Sequence, residues 1–186
     1  MLQVPAMAQL IDEDALRRID LPDRPGMIAG ITAVGDGRSV AVSMSKGGGV
    51  LLVDTATWTV ARVLPTPGFH DGARLTASND GRFLHLAELY RYANLGRKDL
   101  KGRQVVLDLG TGAELIAEEG AVEGAMDPAG RLLVTLRGEQ LTVRTINNGD
   151  ERRTIDVPGA TNALAISPDG RFIAVSHRPT EEQLLK

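Results

Sequence analysis

"SPDGRFIAVSH", from Ser167 to His177, holds a chain reversal followed at once by an alternating run. Pro168 presets φ at the second position of a turn, and Gly170 tolerates the positive φ that a tight hairpin demands. Ile173 and Val175 then alternate with Ala174 and Ser176. A period of two marks a β-strand with two different faces.

The phrase recurs through the chain. "TAVGDGRSVAVS" (32–43), "TASNDGRFLHLA" (76–87), "GAMDPAGRLLVTL" (124–136) and "AISPDGRFIAVS" (165–176) align on a Gly-Arg pair at Gly37, Gly81, Gly130 and Gly170, spaced by 44, 49 and 40 residues. A second phrase lies between them. "VLLVDTATWTVARVLPTPG" (50–68), "VVLDLGTGAELIAEEG" (105–120) and "LTVRTINNGDERRTIDVPG" (141–159) each read as an apolar strand, a polar turn and a second strand ending at glycine. Each full unit therefore carries two hairpins, or four strands.

"AQLIDEDALRRIDLPDRPG" (8–26) matches the second phrase, with Asp12 aligned to Asp54 and Asp108. The units expected are 8–26 as the back half of one, 27–68, 69–120 and 121–159 as whole ones, and 160–186 as the front half of another, within one domain or fragment over 1–186. For residues 8–19 an amphipathic helix, with Ile11, Ala15, Leu16 and Ile19 on one face, is the alternative.

Four-stranded units of roughly 40–45 residues with these turns are the blades of an all-β fold, the β-propeller, in which each antiparallel sheet buries its faces against its neighbours. "LLVDTATWTVARVLPTPG" followed by "NDGRFLHLAE" resembles the YVTN class of bacterial propellers, and "AISPDGRFIAVSH" is similar to bacterial WD-repeat and TolB-like blades. The resemblance spans nearly the whole chain and implies a fold more than an activity. The Trp-Asp pair that names WD repeats is replaced by Ile11-Asp12, Val53-Asp54, Leu107-Asp108 and Arg144-Thr145, so that family's Trp-centred network is not implied here.

Half units at both ends leave closure open. A partial propeller, or a half-propeller completed by a second copy, is one expectation; a closed four-blade ring is the alternative. "EEQLLK" (181–186) resembles the start of a third strand like "VLLVD" (50–54), which favours the first, while Thr180 and Gln183 also fit a helix capping box. Open blades leave unpaired edges, so the isolated chain is expected to be oligomeric or poorly behaved.

Composition narrows the partners. With 21 basic and 24 acidic residues in 186, the net charge of −3 gives no field to gather phosphate backbones, so nucleic acid is not an expected partner. No stretch approaches the ~20 apolar residues that span a bilayer, and no membrane role is expected. The N-terminus lacks the pattern of a secretory signal, which predicts a cytoplasmic protein unless a leader has been removed. The absence of cysteine excludes disulfides, thiolate metal sites and thiol nucleophiles.

His70, His85 and His177 are the three histidines. His85 takes the place of Ala41, Val134 and Ala174 in the other copies and is read as a core imidazole bonded to a neighbour rather than a ligand; His70 and Asp71 are read as a loop-ordering pair. Asp12, Asp54 and Asp108 are read as acceptors for turn N–H groups, not as paired catalytic carboxylates. "GGG" (47–49) lacks the lysine and hydroxyl of a phosphate loop and joins two strands. No catalytic residue, cofactor or metal ligand is assigned.

"ELYRYANLGRKDLKGR" (88–103) lengthens one strand connection and holds both tyrosines. Insertions in repeat proteins map to loops that often bind, and Tyr with Arg is the composition of interface hot spots. Tyr90, Arg91, Tyr92, Arg97, Lys98 and Lys101 form the candidate interaction loop. Resemblance to WD-repeat propellers implies a protein-binding scaffold. The alternatives are a sensory or regulatory domain fused to an effector and, less favoured, a lactonase- or amine-dehydrogenase-type enzyme. The inner segments "GITAVG", "RLTASN", "EGAMD" and "ALAIS" are mostly small and apolar, which weighs against an axial catalytic site.

Overall fold

The structure, a computed structural model, describes residues 26–66, 69, 71–89 and 102–177. Every regular element among them is a β-strand. Sheet one contains β1 (Ile28–Val34), β2 (Ser39–Met44), β3 (Gly49–Asp54) and β4 (Thr59–Leu64). Sheet two contains β5 (Ala73–Ala77), β6 (Phe83–Glu88), β7 (Arg103–Asp108) and β8 (Glu114–Glu119). Sheet three contains β9 (Glu123–Met126), β10 (Leu132–Arg137), β11 (Gln140–Thr145) and β12 (Glu151–Asp156). Sheet four is the hairpin β13 (Ala160–Ile166) and β14 (Ile173–His177). Each sheet is an antiparallel meander in chain order.

The first turn of every sheet has the same chemistry. The N–H groups of Gly37, Gly81, Gly130 and Gly170 donate to the carbonyls of Val34, Ser78, Asp127 and Ser167 at 3.1, 2.9, 2.8 and 2.9 Å. The four glycines hold φ at +84°, +70°, +67° and +72°, a region that a Cβ disfavours. Side chains then staple the turn. Ser78 Oγ accepts the Phe83 N–H at 2.9 Å and donates to Asp80 Oδ1 at 2.6 Å, which also accepts the Arg82 N–H at 3.0 Å. Ser167, Asp169, Arg171 and Phe172 repeat this at 2.9, 2.6 and 3.1 Å.

In sheet three the serine position holds Asp127 and the aspartate position Ala129. Asp127 Oδ1 accepts both the Arg131 and Leu132 N–H groups, at 2.6 and 2.7 Å, so one carboxylate replaces the Ser–Asp pair. A second regularity is a register shift between the third and fourth strands, at Leu52/Val53, Val106/Leu107 and Val143/Arg144. The same bulge at the same repeat position bends each full sheet alike.

Successive sheets stack face to face. β1 and β2 pack on β5, β6 on β9, and β9 on β13, which places the first strand of each sheet nearest a common axis. Leu84, Leu86, Val105 and Leu107 of sheet two meet Val34, Ala41, Val50 and Leu64 of sheet one. On the opposite side of sheet two, Phe83 and Val106 join Met126, Leu133 and Ile146 of sheet three. Val134, Leu136 and Leu141 contact Leu164, Ile166 and Val175 of sheet four. Each fully buried aliphatic chain contributes about 1.5–3 kcal/mol. No packing of comparable extent joins sheet four to sheet one, so the described sheets form an open propeller arc rather than the closed four-blade ring.

The turn staple generates a prediction. Asp127→Ala leaves two N–H groups without an acceptor beside a buried side chain, and should lower the unfolding free energy in urea by about 2–4 kcal/mol. Asp36→Ala, at the exposed turn of sheet one, should change it by no more than about 0.5 kcal/mol.

Candidate functional site

Antiparallel meanders send their first and third turns to one end of each sheet and the second to the other. At the first end, Asp54 Oδ1 accepts the N–H groups of Ala56 and Thr57 at 2.8 and 2.9 Å, and Asp108 Oδ1 that of Thr111 at 2.9 Å. The Thr57 and Ala56 N–H groups hold the Asp54 carboxyl below its usual range, and the Thr111 N–H does so for Asp108. Asp80 and Asp169 are lowered first by the Ser78 and Ser167 hydroxyls, then by the Arg82 and Arg171 N–H groups. These carboxylates hold turns, as the sequence reading anticipates for Asp54 and Asp108; Asp12 lies outside the described residues.

Trp58, which the sequence reading passed over, stands out at this end. Its φ is +56°, its N–H donates to the Asp54 carbonyl at 2.8 Å, and the same turn position holds Gly112 at +79° and Gly149 at +70°. A bulky residue in that region costs about 1–3 kcal/mol of strain. The indole is 39% exposed. Aligning the third turns shows tryptophan where two equivalents have glycine, which is the signal that could have found it. At the same end of the sheets, a shallow cleft of about 380 Å³ opens between the first turns of sheets one and two, lined by Asp36, Arg38, Asn79 and Asp80 among others.

At the other end the β6–β7 connection, residues 89–102, far exceeds its counterparts 45–48 and 138–139. Its base is tied down: a Glu88 carboxylate oxygen accepts the Arg103 N–H at 3.1 Å, and the Leu89 N–H donates to the Gly72 carbonyl at 3.1 Å. The Arg103 guanidinium reaches Glu114 at 3.0 Å and Glu119 at 3.2 Å, and lies 5.6 Å from the Phe69 ring centroid. Tyr90, Arg91, Tyr92, Arg97, Lys98 and Lys101 lie outside the described residues, as does His70.

His85 is buried between sheets two and three. Its Nε2 is 2.9 Å from Gln104 Oε1, and the Gln104 amide donates to the Ala121 carbonyl at 3.3 Å. Since the amide oxygen only accepts, Nε2 carries the proton. Gly124 of sheet three closes the layer, where a Cβ would come within 3.2 Å of Nε2. Burial pushes the imidazole down to about 4, against the pull of Gln104 and with a further push from Arg74. No group of three or more His, Asp or Glu side chains suited to a metal occurs among the described residues.

Arginines also bridge the sheets, a feature the repeat pattern does not announce. Arg62 donates to the Leu109 carbonyl at 2.7 Å, Arg74 pairs with Glu123, Arg137 donates to the Glu119 carbonyl, and Arg144 pairs with Glu118.

No family model matches the chain, and no curated protein matches it. Among solved structures it is similar to the β-propeller domain of Cps50 (Swd1) from Myceliophteria thermophila, with a TM-score of 0.59 and 14% identity over 85% of this chain and 52% of that one. It is also similar to the hydrazine synthase of Kuenenia stuttgartiensis, with a TM-score of 0.56 and 20% identity over 80% of this chain and 43% of that one. The chain thus spans about half the length of the solved structures it matches. These likenesses show the fold: the chain is of the β-propeller type. The YVTN resemblance rests on sequence phrases alone.

His85 makes stability depend on pH. Its folded pKa of about 4 lies below the ordinary 6.5, so the unfolded chain binds the extra proton and stability falls as pH drops from 6.5 toward 4, by about 3 kcal/mol in all. His85→Gln, which keeps a donor for Gln104, should flatten this part of the profile in urea titrations at successive pH values. An unchanged slope would assign it to other groups.

Proposed function

We propose that the chain is an interaction module, a propeller-type scaffold that holds protein partners on the turn-bearing rims of its sheets. The observation that carries this reading is Trp58. A half-exposed indole in a left-handed backbone conformation, where two equivalents have glycine, costs the fold energy. Tryptophan is also among the side chains most enriched at the centres of protein–protein interfaces. A strained, exposed aromatic of this kind fits a role in contact better than one in folding.

The acid and base groups support the same reading. General acid–base chemistry wants a pKa near the working pH. Here the His85 imidazole is sealed between sheets and lowered to about 4, and Asp54, Asp80, Asp108 and Asp169 are lowered by the turns they hold. The Tyr- and Arg-rich stretch with Tyr90, Arg91 and Tyr92 is a second contact in this reading, suggested by its composition and by the tied strand ends that flank it. Resemblance to WD-repeat blades points to protein partners, and the net charge of −3 gives no reason to invoke nucleic acid.

Two variants test this. Trp58→Gly should raise stability by about 1 kcal/mol through relief of the backbone strain, while weakening a partner recovered by cross-linking from lysate of the source cells. Replacing Tyr90, Arg91 and Tyr92 together with Ala should leave the unfolding midpoint unchanged and weaken the same or a second partner. Full retention by both variants would contradict the proposal.

A further inference from the structure

The open arc ends on two faces that the internal junctions identify as halves of one more junction. In sheet two, Phe83 is 3% exposed and lies under the first turn of sheet three, where a Cβ on Gly130 would come 2.7 Å from its ring. Phe172 of sheet four holds the same turn position, its N–H bonded to Ser167 Oγ as that of Phe83 is to Ser78 Oγ. Arg171 stacks on its ring as Arg82 does on Phe83. Yet Phe172 is 65% exposed. Ala165 and Ala174, directly paired across β13 and β14, lie on the same open face.

Sheet one shows the complementary lack. Leu75 of β5 is 7% exposed because it faces sheet one, while its equivalent in β1, Ile31, is 62% exposed. Each later first-turn glycine abuts the sheet before it: Gly81 meets Gly35, Gly130 meets Phe83 and Gly170 meets Arg131. Gly37 meets nothing within 4 Å. Exposure on this face is confined to the first strand, since Val42, Leu51 and Val53 farther out are buried. A two-stranded sheet such as β13–β14 matches a patch of that width.

We propose that a second copy of this chain docks here head to tail, the β13–β14 face of each copy seating Phe172 against Gly37 and Ala174 against Ile31 of the other. Continuity with three internal junctions supplies the chemistry. Arg131 already donates to the Asp169 carbonyl across the third junction at 3.4 Å, and Arg171 would meet the exposed Asp36 turn in the same way. Arc length supplies the stoichiometry: one chain covers 52% of the Cps50 propeller domain, so two make about one turn. A head-to-tail contact whose rotation closes gives a ring rather than a filament.

Sedimentation velocity on the 186-residue chain across a wide concentration range tests this, and should show a dimer. Phe172→Glu and Ile31→Glu should each raise the dimer dissociation constant about thirtyfold or more. Both positions are exposed in the single chain, so circular dichroism and the urea midpoint of the dissociated variants should match. Mixing the two variants should restore a dimer through the one junction that remains intact. A monomeric wild-type chain, an oligomer that neither variant weakens, or a mixture that stays monomeric would overturn the proposal.

Discussion

A glycine at the first turn of sheets two, three and four does two jobs at one atom. It adopts the positive φ that lets β-strands reverse in a tight, stapled turn, and its missing Cβ lets the previous sheet approach that turn. At Gly81, Gly130 and Gly170 a Cβ would lie 2.7–3.1 Å from the sheet before. Local turn chemistry and long-range stacking are therefore one constraint. A side-chain staple, Ser–Asp in sheets two and four and Asp127 alone in sheet three, fixes where the glycine sits, the glycine sets how near the sheets come, and that distance determines which side chains fill the layer between them.

Between sheets two and three the layer is polar toward the end that carries the second turns and apolar toward the end that carries the first. His85, Gln104 and the Ala121 carbonyl form a chain of hydrogen bonds beneath Gly124, while Phe83, Val106, Met126 and Leu133 exclude water around it. Buried polar groups of this kind are costly unless paired, and here each amide and ring donor named finds an acceptor. The arrangement fixes the register of neighbouring sheets as much as it holds them together.

Much of this was legible in the sequence because the repeat is carried by turn residues, whose φ requirements are local. The Gly-Arg pairs located the first turns, the alternation behind them located β2, β6, β10 and β14, and the odd histidine among Ala41, Val134 and Ala174 was rightly read as a core imidazole. Replacement of Ser–Asp by Asp127 alone was harder to see, since Ala129 looks like a lost turn residue until the carboxylate is found two residues earlier. The Arg62, Arg137 and Arg144 bridges were not legible at all. Long side chains reaching between sheets obey no repeat period. Trp58 was hidden for another reason: its one sequence signal is the glycine at the two equivalent third-turn positions, and the turns there match too loosely for that to draw notice before the backbone angle is seen. The reading of residues 8–26 as a half unit, with its helical alternative, and of the tail as strand or cap, concerns residues outside those described.

The coupling of turn and stacking can be measured directly by comparing Gly130→Ala with Gly37→Ala in a Phe172→Glu background, where the faces at the ends of the arc are kept apart. Both substitutions carry the strain of a positive φ, but only the first drives a methyl group into a neighbouring sheet. The account predicts that Gly130→Ala loses at least about 1 kcal/mol more in urea unfolding than Gly37→Ala, within the usual range for overpacking. Equal losses would mean that the glycines serve the turns alone and that the sheets are not held at the distance described.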